Sequence, residues 1–167
     1  MKRNRTSRRT FLKQTSLLSA GAIAAPYIVP SSALGLDGAV APSERIVMGA
    51  IGTGGMGKAD MNKMMEFPEV QMVAVCDVDR AHREQARELV NQKYGNQDCA
   101  AYNDFRELLA RSDIDAVTVT TPDHWHALCS IAAARAGKDV YCEKPLANSV
   151  GEGRAIVQAV QANNRIL

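Results

Sequence analysis

Gly52-Thr53-Gly54-Gly55-Met56-Gly57 decides how this chain reads. Ahead of it runs Ile46-Val47-Met48-Gly49-Ala50-Ile51, a short apolar segment with the composition of a buried strand. Behind it, Lys58 to Phe67 is predicted as a helix, and Val70 to Cys76 as a second apolar strand that runs into Asp77. Strand, glycine turn, helix, strand and acid, in that order, are what a dinucleotide-binding βαβ unit requires. Gly52 permits the tight turn out of the strand, Gly54 leaves room for backbone to approach a diphosphate, and Gly57 lets the helix lie close to the sheet. The helix N-terminus then offers free N–H groups and partial positive charge to the phosphates. Asp77 follows Gly57 by 20 positions, where a carboxylate meets ribose hydroxyls. A glycine-rich turn by itself also fits an ordinary bend. The flanking strand, helix and acid favour the dinucleotide reading.

Residues 1–33 read as a separate module and are set aside from the fold. Ser7-Arg8-Arg9-Thr10-Phe11-Leu12-Lys13 carries paired arginines followed by Phe and Leu. The apolar run from Leu17 to Val29 is interrupted by Gly21 and Pro26. It falls short of the roughly 20 apolar residues that a stable membrane span needs. Ala22-Ile23-Ala24 and Ser31-Ser32-Ala33 both fit small-x-small cleavage sites. A basic arm for nucleic acid or lipid headgroups is the plainer alternative, but the order of these parts favours a targeting signal. The segment closely resembles the twin-arginine export signal of bacteria. That resemblance implies a folded protein passed to the twin-arginine machinery and delivered to the periplasm or beyond. It further implies a nucleotide loaded before export and held tightly afterwards.

The same segment distorts the overall charge. Six of the 20 basic residues and none of the 18 acidic ones lie in it, so the remainder is mildly acidic. Nucleic acid is therefore not an expected partner. Cys76, Cys99, Cys129 and Cys142 show neither C-x-x-C spacing nor a His/Cys metal pattern, so no metal site is expected and the thiols read as buried and inert.

Residues 34–44 form a linker, and from Arg45 onward strands and helices alternate. Asp79 to Tyr94 is predicted helical and stopped by Gly95, and Asn103 or Asp104 caps a short helix ending at Leu109. Asp115 to Thr121 is rich in β-branched residues and reads as a strand, followed by a helix from Asp123 to Ala136 and a strand from Asp139 to Cys142. Ser149 and Glu152 form a capping box for a last helix to about Asn163, after which Arg165-Ile166-Leu167 is expected to begin a further strand. This alternation predicts an α/β fold, a Rossmann-type doubly wound parallel sheet over residues 45–167. The length suffices for one such domain and leaves no room for a second, so the chain reads as an N-terminal fragment or a truncated product, with a single-domain binding protein whose last strand is short as the plainer alternative.

Two further motifs sit where ligands bind in such sheets, beyond the carboxyl ends of strands. In Thr120-Thr121-Pro122-Asp123-His124-Trp125-His126, Pro122 forces an extended entry and Asp123 is placed to cap the helix. His124 and His126 are two apart, a poor spacing for a shared metal, and a packing or capping role is the ordinary one for each. Trp125 fits a core or interdomain contact as well as a substrate platform. In Cys142-Glu143-Lys144-Pro145, the Glu-Lys pair fits a plain surface pair. A lysine there also fits a base or hydrogen-bond donor beside a nicotinamide.

Taken together, G-T-G-G-M-G, Asp77, T-P-D-H-W-H and E-K-P resemble the N-terminal domain of the glucose–fructose oxidoreductase / inositol dehydrogenase / MocA family. The resemblance implies NAD(P)-linked hydride transfer on a sugar, inositol or related polyol. It implies that Gly52, Gly54, Met56 and Gly57 hold the pyrophosphate and that Asp77 holds the adenosine ribose. Thr121, Pro122 and His126 are implied to line the cofactor cleft, Glu143 to contact the ribose or orient its loop, and Lys144 to bind substrate and assist proton transfer. NAD is favoured over NADP, since the Asp77 carboxylate repels a 2′-phosphate, although Arg80 offsets part of that repulsion. An NAD-dependent glycosidase of the same fold and a noncatalytic nucleotide-binding remnant are the competing readings. The family's substrate domain, and any oligomer it forms, lie beyond these 167 residues. Weak nucleotide binding with poor turnover is therefore expected of the chain alone.

Overall fold

The computed structural model describes residue 36 and residues 40–167. The proposed export signal and most of the linker lie outside the described residues. Pro42–Glu44 form one 3-10 turn before the sheet begins.

Five strands form one parallel sheet: β1 (Ile46–Ile51), β2 (Val70–Cys76), β3 (Ala100–Tyr102), β4 (Ala116–Val119) and β5 (Asp139–Cys142). Their spatial order is β3-β2-β1-β4-β5. The chain winds outward from β1 in one direction, then crosses back and winds outward in the other. That reversal leaves a crevice at the carboxyl ends of β1 and β4. The helices are α1 (Gly55–Met64), α2 (Arg80–Tyr94), α3 (Phe105–Leu109), α4 (Asp123–Arg135) and α5 (Val150–Ala162).

Strand side chains alternate between two cores. Met48, Ala50, Met72 and Val75 pack with Met61 and Met65 near α1 and with Ala86 and Val90 of α2. Ile51, Ala74, Cys76, Val117, Val119 and Val140 pack on the other face with Phe105, Leu108, Cys129 and Ala133 of α3 and α4. Helices on both faces of a parallel sheet give the Rossmann-type architecture expected from the sequence.

Register aligns the strand ends. Ile51 pairs with Cys76 and with Val119, Cys76 with Tyr102, and Val119 with Cys142. The residues that follow are Gly52, Asp77, Asn103, Thr120 and Glu143, so all five emerge along one edge of the sheet.

Several boundaries differ from the sequence reading. The first helix starts at Gly55, not Lys58, because Gly55, Met56 and Gly57 form its first turn, and it ends at Met64 rather than Phe67. β3 was not expected; it is a three-residue edge strand, too short to show alternation. β4 stops at Val119, which leaves Thr120 and Thr121 in the connection to α4. Arg165 to Leu167 form no strand. Only the start of such pairing is present: the Val140 N–H donates to Ile166 O at 2.9 Å, while the Ile166 N–H is taken by Asp139 Oδ1 at 2.8 Å.

Three of the four thiols are buried as expected, and Cys142 is not. Cys76, Cys99 and Cys129 are 3%, 7% and 1% exposed, and Cys142 is partly exposed. Burial pushes the Cys76 and Cys129 thiols up to about 12 and the Cys99 thiol up to about 11. Thiol titration with a disulfide reagent near pH 8 is therefore expected to modify Cys142 first, with all four thiols reacting only in denaturant. Fast reaction of Cys76 or Cys129 in the native chain contradicts the packing described.

Candidate functional site

The glycine turn is built by two close approaches. Gly52 has φ +84°, a left-handed conformation that other residues adopt at a cost, and a Cβ there would stand 2.6 Å from Thr121 N. A Cβ on Gly57 would stand 2.0 Å from Gly52 O and 2.9 Å from Thr120 Oγ1. Thr120 closes the same junction by donating from Oγ1 to Gly52 O at 2.7 Å. Gly54 and Gly55 face open space by contrast: the nearest atoms to a Cβ on Gly54 are 3.9 Å away in His82, and none lies within 4 Å at Gly55.

Helix capping divides along functional lines. Asp79, Asp104 and Ser149 cap α2, α3 and α5 with side-chain acceptors. α1 and α4, preceded by Gly54 and Pro122, have no side-chain cap. Both uncapped ends border the crevice. The first-turn N–H groups of α1 thus face an open space with no acid in that turn to compete for them.

Asp77 stands where the sequence reading put it, beside the turn, and it also fastens the turn. Its Oδ2 accepts from Thr53 N at 2.7 Å and Thr53 Oγ1 at 3.2 Å, and its Oδ1 accepts from Asp79 N at 2.9 Å. A carboxylate has about four acceptor positions, so capacity for ribose hydroxyls is left over. His82 Nδ1 lies 3.9 Å from Asp77 Oδ2.

These parts border a groove of about 590 Å³. Gly52, Gly54, Met56, Gly57, Asp77, Thr121 and Pro122, all singled out from the sequence, line it. Sequence reasoning missed Val78, His82 and the segment Asn103 to Arg106, which also line it. Those last four follow β3, whose brevity hid the loop. Trp125 lines the groove as well, edge-on to Phe105 with ring centroids 6.5 Å apart, while the Arg106 guanidinium lies 4.6 Å over the opposite ring. Its indole is 41% exposed, so Trp125 is a groove wall rather than a core residue.

Three expected site residues stand elsewhere. His126 is 1% exposed, with Nδ1 2.6 Å from Pro145 O and Nε2 2.8 Å from Thr121 O. Both ring nitrogens face backbone carbonyls, and the ring is packed behind the groove and does not line it. Glu143 and Lys144 lie at the end of β5, on the far side of β4 from Asp77, and do not line the enclosed groove. Lys144 is exposed, and its amide donates to Glu143 Oε1 at 2.9 Å. Near this end Asp60 of α1 is 5% exposed with no partner for Oδ2. Burial, then the nearby Glu143 carboxylate, holds it above the ordinary carboxylate range.

The residues present fit a dinucleotide. The junction excludes side chains where a diphosphate approaches, the N–H groups of α1 are uncommitted, and Thr121 Oγ1 is buried without a partner. Among the described residues, no group of three or more His, Cys, Asp or Glu is placed to hold a metal ion, and no helix is long and apolar enough to cross a membrane.

Fold and groove together define a dinucleotide-binding domain of the Rossmann type. Residues 46–167 match the oxidoreductase family with NAD-binding Rossmann fold, glucose–fructose oxidoreductase / inositol dehydrogenase / MocA, and the chain belongs to that family. The chain is 33% identical over 172 aligned residues to an alpha-N-acetylgalactosaminidase of Shewanella oneidensis, covering 95% of this chain and 38% of that protein. It thus spans well under half the length of the curated relatives it matches. Among solved structures, an NAD binding oxidoreductase from Klebsiella pneumoniae is 33% identical with a TM-score of 0.60, over 72% of this chain and 33% of that one. The WlbA dehydrogenase from Chromobacterium violaceum, solved with NADH and UDP-GlcNAcA, is 26% identical with a TM-score of 0.61, over 73% of this chain and 34% of that one. The domain described here is an NAD(P)-binding Rossmann domain.

Two substitutions separate close packing from open space at the turn. Gly57→Ala drives a methyl into the Gly52 carbonyl and is expected to cost about 3 kcal/mol or more, read as a lower urea midpoint. Gly55→Ala meets nothing and is expected to be neutral or to stabilise by up to about 1 kcal/mol.

Proposed function

We propose that this chain is the nucleotide-binding part of an enzyme that transfers a hydride between NAD and a sugar, inositol or related polyol. The observation carrying this reading is the Gly52–Gly57 junction with Asp77 beside it, opening onto a groove of nucleotide size. The strand order divides the labour. The walls over β2 and β3, with Asp77, Val78 and Asn103 to Arg106, suit an adenosine. The open edge over β5, with Glu143 and Lys144, suits the reacting end.

NAD, when bound, supplies a hydride acceptor. The chain's own contributions are to seat the diphosphate on the N–H groups of α1, to hold the ribose at Asp77, and to present the Lys144 amino group to a substrate hydroxyl. Positioned there, Lys144 takes the hydroxyl proton as the free amine when the carbon is oxidised, and returns it as the ammonium when the carbon is reduced. Asp77 favours NAD over NADP by repelling a 2′-phosphate. Residues 1–33 support export by the twin-arginine pathway, with the nucleotide loaded before export.

A second reading is favoured by the curated relatives, several of which are named as glycosyl hydrolase family 109 proteins. In it a retained NAD would supply transient oxidation of the sugar; the oxidised sugar loses a proton and the aglycone by elimination, water adds in the aglycone's place, and return of the hydride leaves no net redox change. Both readings use the same groove and the same lysine.

Trp125 is the single tryptophan of the chain and lines the groove, so it reports occupancy directly. NAD is expected to change its fluorescence saturably, with NADP weaker by about tenfold and nicotinamide mononucleotide without effect. No saturable response to either dinucleotide overturns the proposal. In a longer form carrying a substrate domain, Lys144→Ala is expected to lower turnover by about 10²–10⁴ with NAD affinity nearly unchanged. Accumulation of reduced cofactor with a polyol supports the dehydrogenase reading, and release of an aglycone without it supports the glycosidase reading.

A further inference from the structure

The mechanism just given leaves His126 unused, although it is among the most buried polar side chains of the domain. It sits one turn into α4, between two segments far apart in sequence. Its Nε2 is 2.8 Å from the carbonyl of Thr121, on the lip of the groove. Its Nδ1 is 2.6 Å from the carbonyl of Pro145, next to Lys144. Either neutral tautomer donates to one of these carbonyls, and the doubly protonated ring donates to both.

The β5–α5 connection needs such a tie. Glu143 N–H donates to Val119 O at 3.0 Å and continues the sheet, and Asn148 N–H is held by Glu152 Oε2 at 2.9 Å. Between them the Lys144 amide is satisfied locally by Glu143 Oε1. Among the described residues, the contact of His126 with Pro145 O is the hydrogen bond that joins the Lys144–Ala147 stretch to another element. Lys144, Pro145 and Leu146 are themselves exposed, so little packing holds them.

We propose that His126 is a positioning residue: its buried ring fastens the Lys144–Pro145 loop to the Thr121–Pro122 lip of the groove and so sets where the Lys144 ammonium stands relative to the nucleotide. This rests on the reading of Lys144 given above. A buried ring seated between two carbonyls is a stiff spacer, whereas a lysine on an untethered exposed loop samples many positions. Reaction geometry tolerates displacements of well under about 1 Å.

The test uses the 167-residue chain. His126→Phe keeps an aromatic ring and removes its hydrogen-bonding nitrogens, and His126→Gln keeps an amide donor. Backbone hydrogen exchange at Glu143 and Lys144, whose amides are hydrogen-bonded, is expected to rise about tenfold in His126→Phe and less in His126→Gln, with Ala50 and Val75 in the sheet within about twofold of wild type. In the wild type, a ring N–H of His126 is expected to be protected from solvent exchange in long-range 15N–1H spectra. Unchanged loop exchange in folded His126→Phe overturns the proposal. So does a uniform rise across the domain, or a wild-type ring N–H that exchanges freely, a readout that needs no variant to fold. NAD titration of the wild type by Trp125 fluorescence runs alongside. Loss of NAD binding with the loop effect intact refutes the nucleotide reading, and with it the reference point for Lys144, while NAD binding without the loop effect refutes the His126 assignment alone.

Discussion

The close approach of α1 to the turn after β1 is the constraint on which the domain rests. A single methyl at Gly57 would fall within 2.0 Å of the Gly52 carbonyl. That contact pins the first turn of α1 over the carboxyl end of the sheet, next to Thr120 of the returning chain. Everything nearby is adjusted to it: Gly52 takes a left-handed φ, Thr120 donates to its carbonyl, and Asp77 reaches across from β2 to hold the Thr53 amide. Three segments from three strands meet at one bend. The open face of Gly54 and Gly55 is what remains when every other side of the bend is packed.

Much of this was legible in the chain, because the turn has a strict steric requirement and therefore a narrow residue choice. β1, β2 and β5 were found at their observed limits, since apolar strands bounded by turn residues show plainly in composition. The start of α1 was misplaced because Gly55 and Gly57 are poor helix formers, and tertiary packing overrides that propensity. β3 was missed because three residues carry no period, and its loss concealed Asn103 to Arg106 on the groove wall. His126 shows a different limit. The sequence marks it as unusual but does not say which way its ring turns, and here it turns inward onto two carbonyls. The dual use of Asp77 was also invisible, since its bond to Thr53 depends on the sheet bringing residues 24 apart in sequence together.

The site has two ends of unlike character. Over β2 and β3 it is walled by Val78, Arg106 and Trp125, whereas over β5 it lies open to solvent with Lys144 exposed. The chain spans 38% of the length of the curated relatives it matches.

The floor beneath the groove has one further consequence. Cys76 and Cys129 both line it, and burial keeps both thiols protonated far beyond neutral pH. Sulfur gives that floor a soft, polarisable surface, yet neither atom acquires negative charge under cellular conditions. A doubly anionic guest lying over the bend thus meets no thiolate repulsion from below.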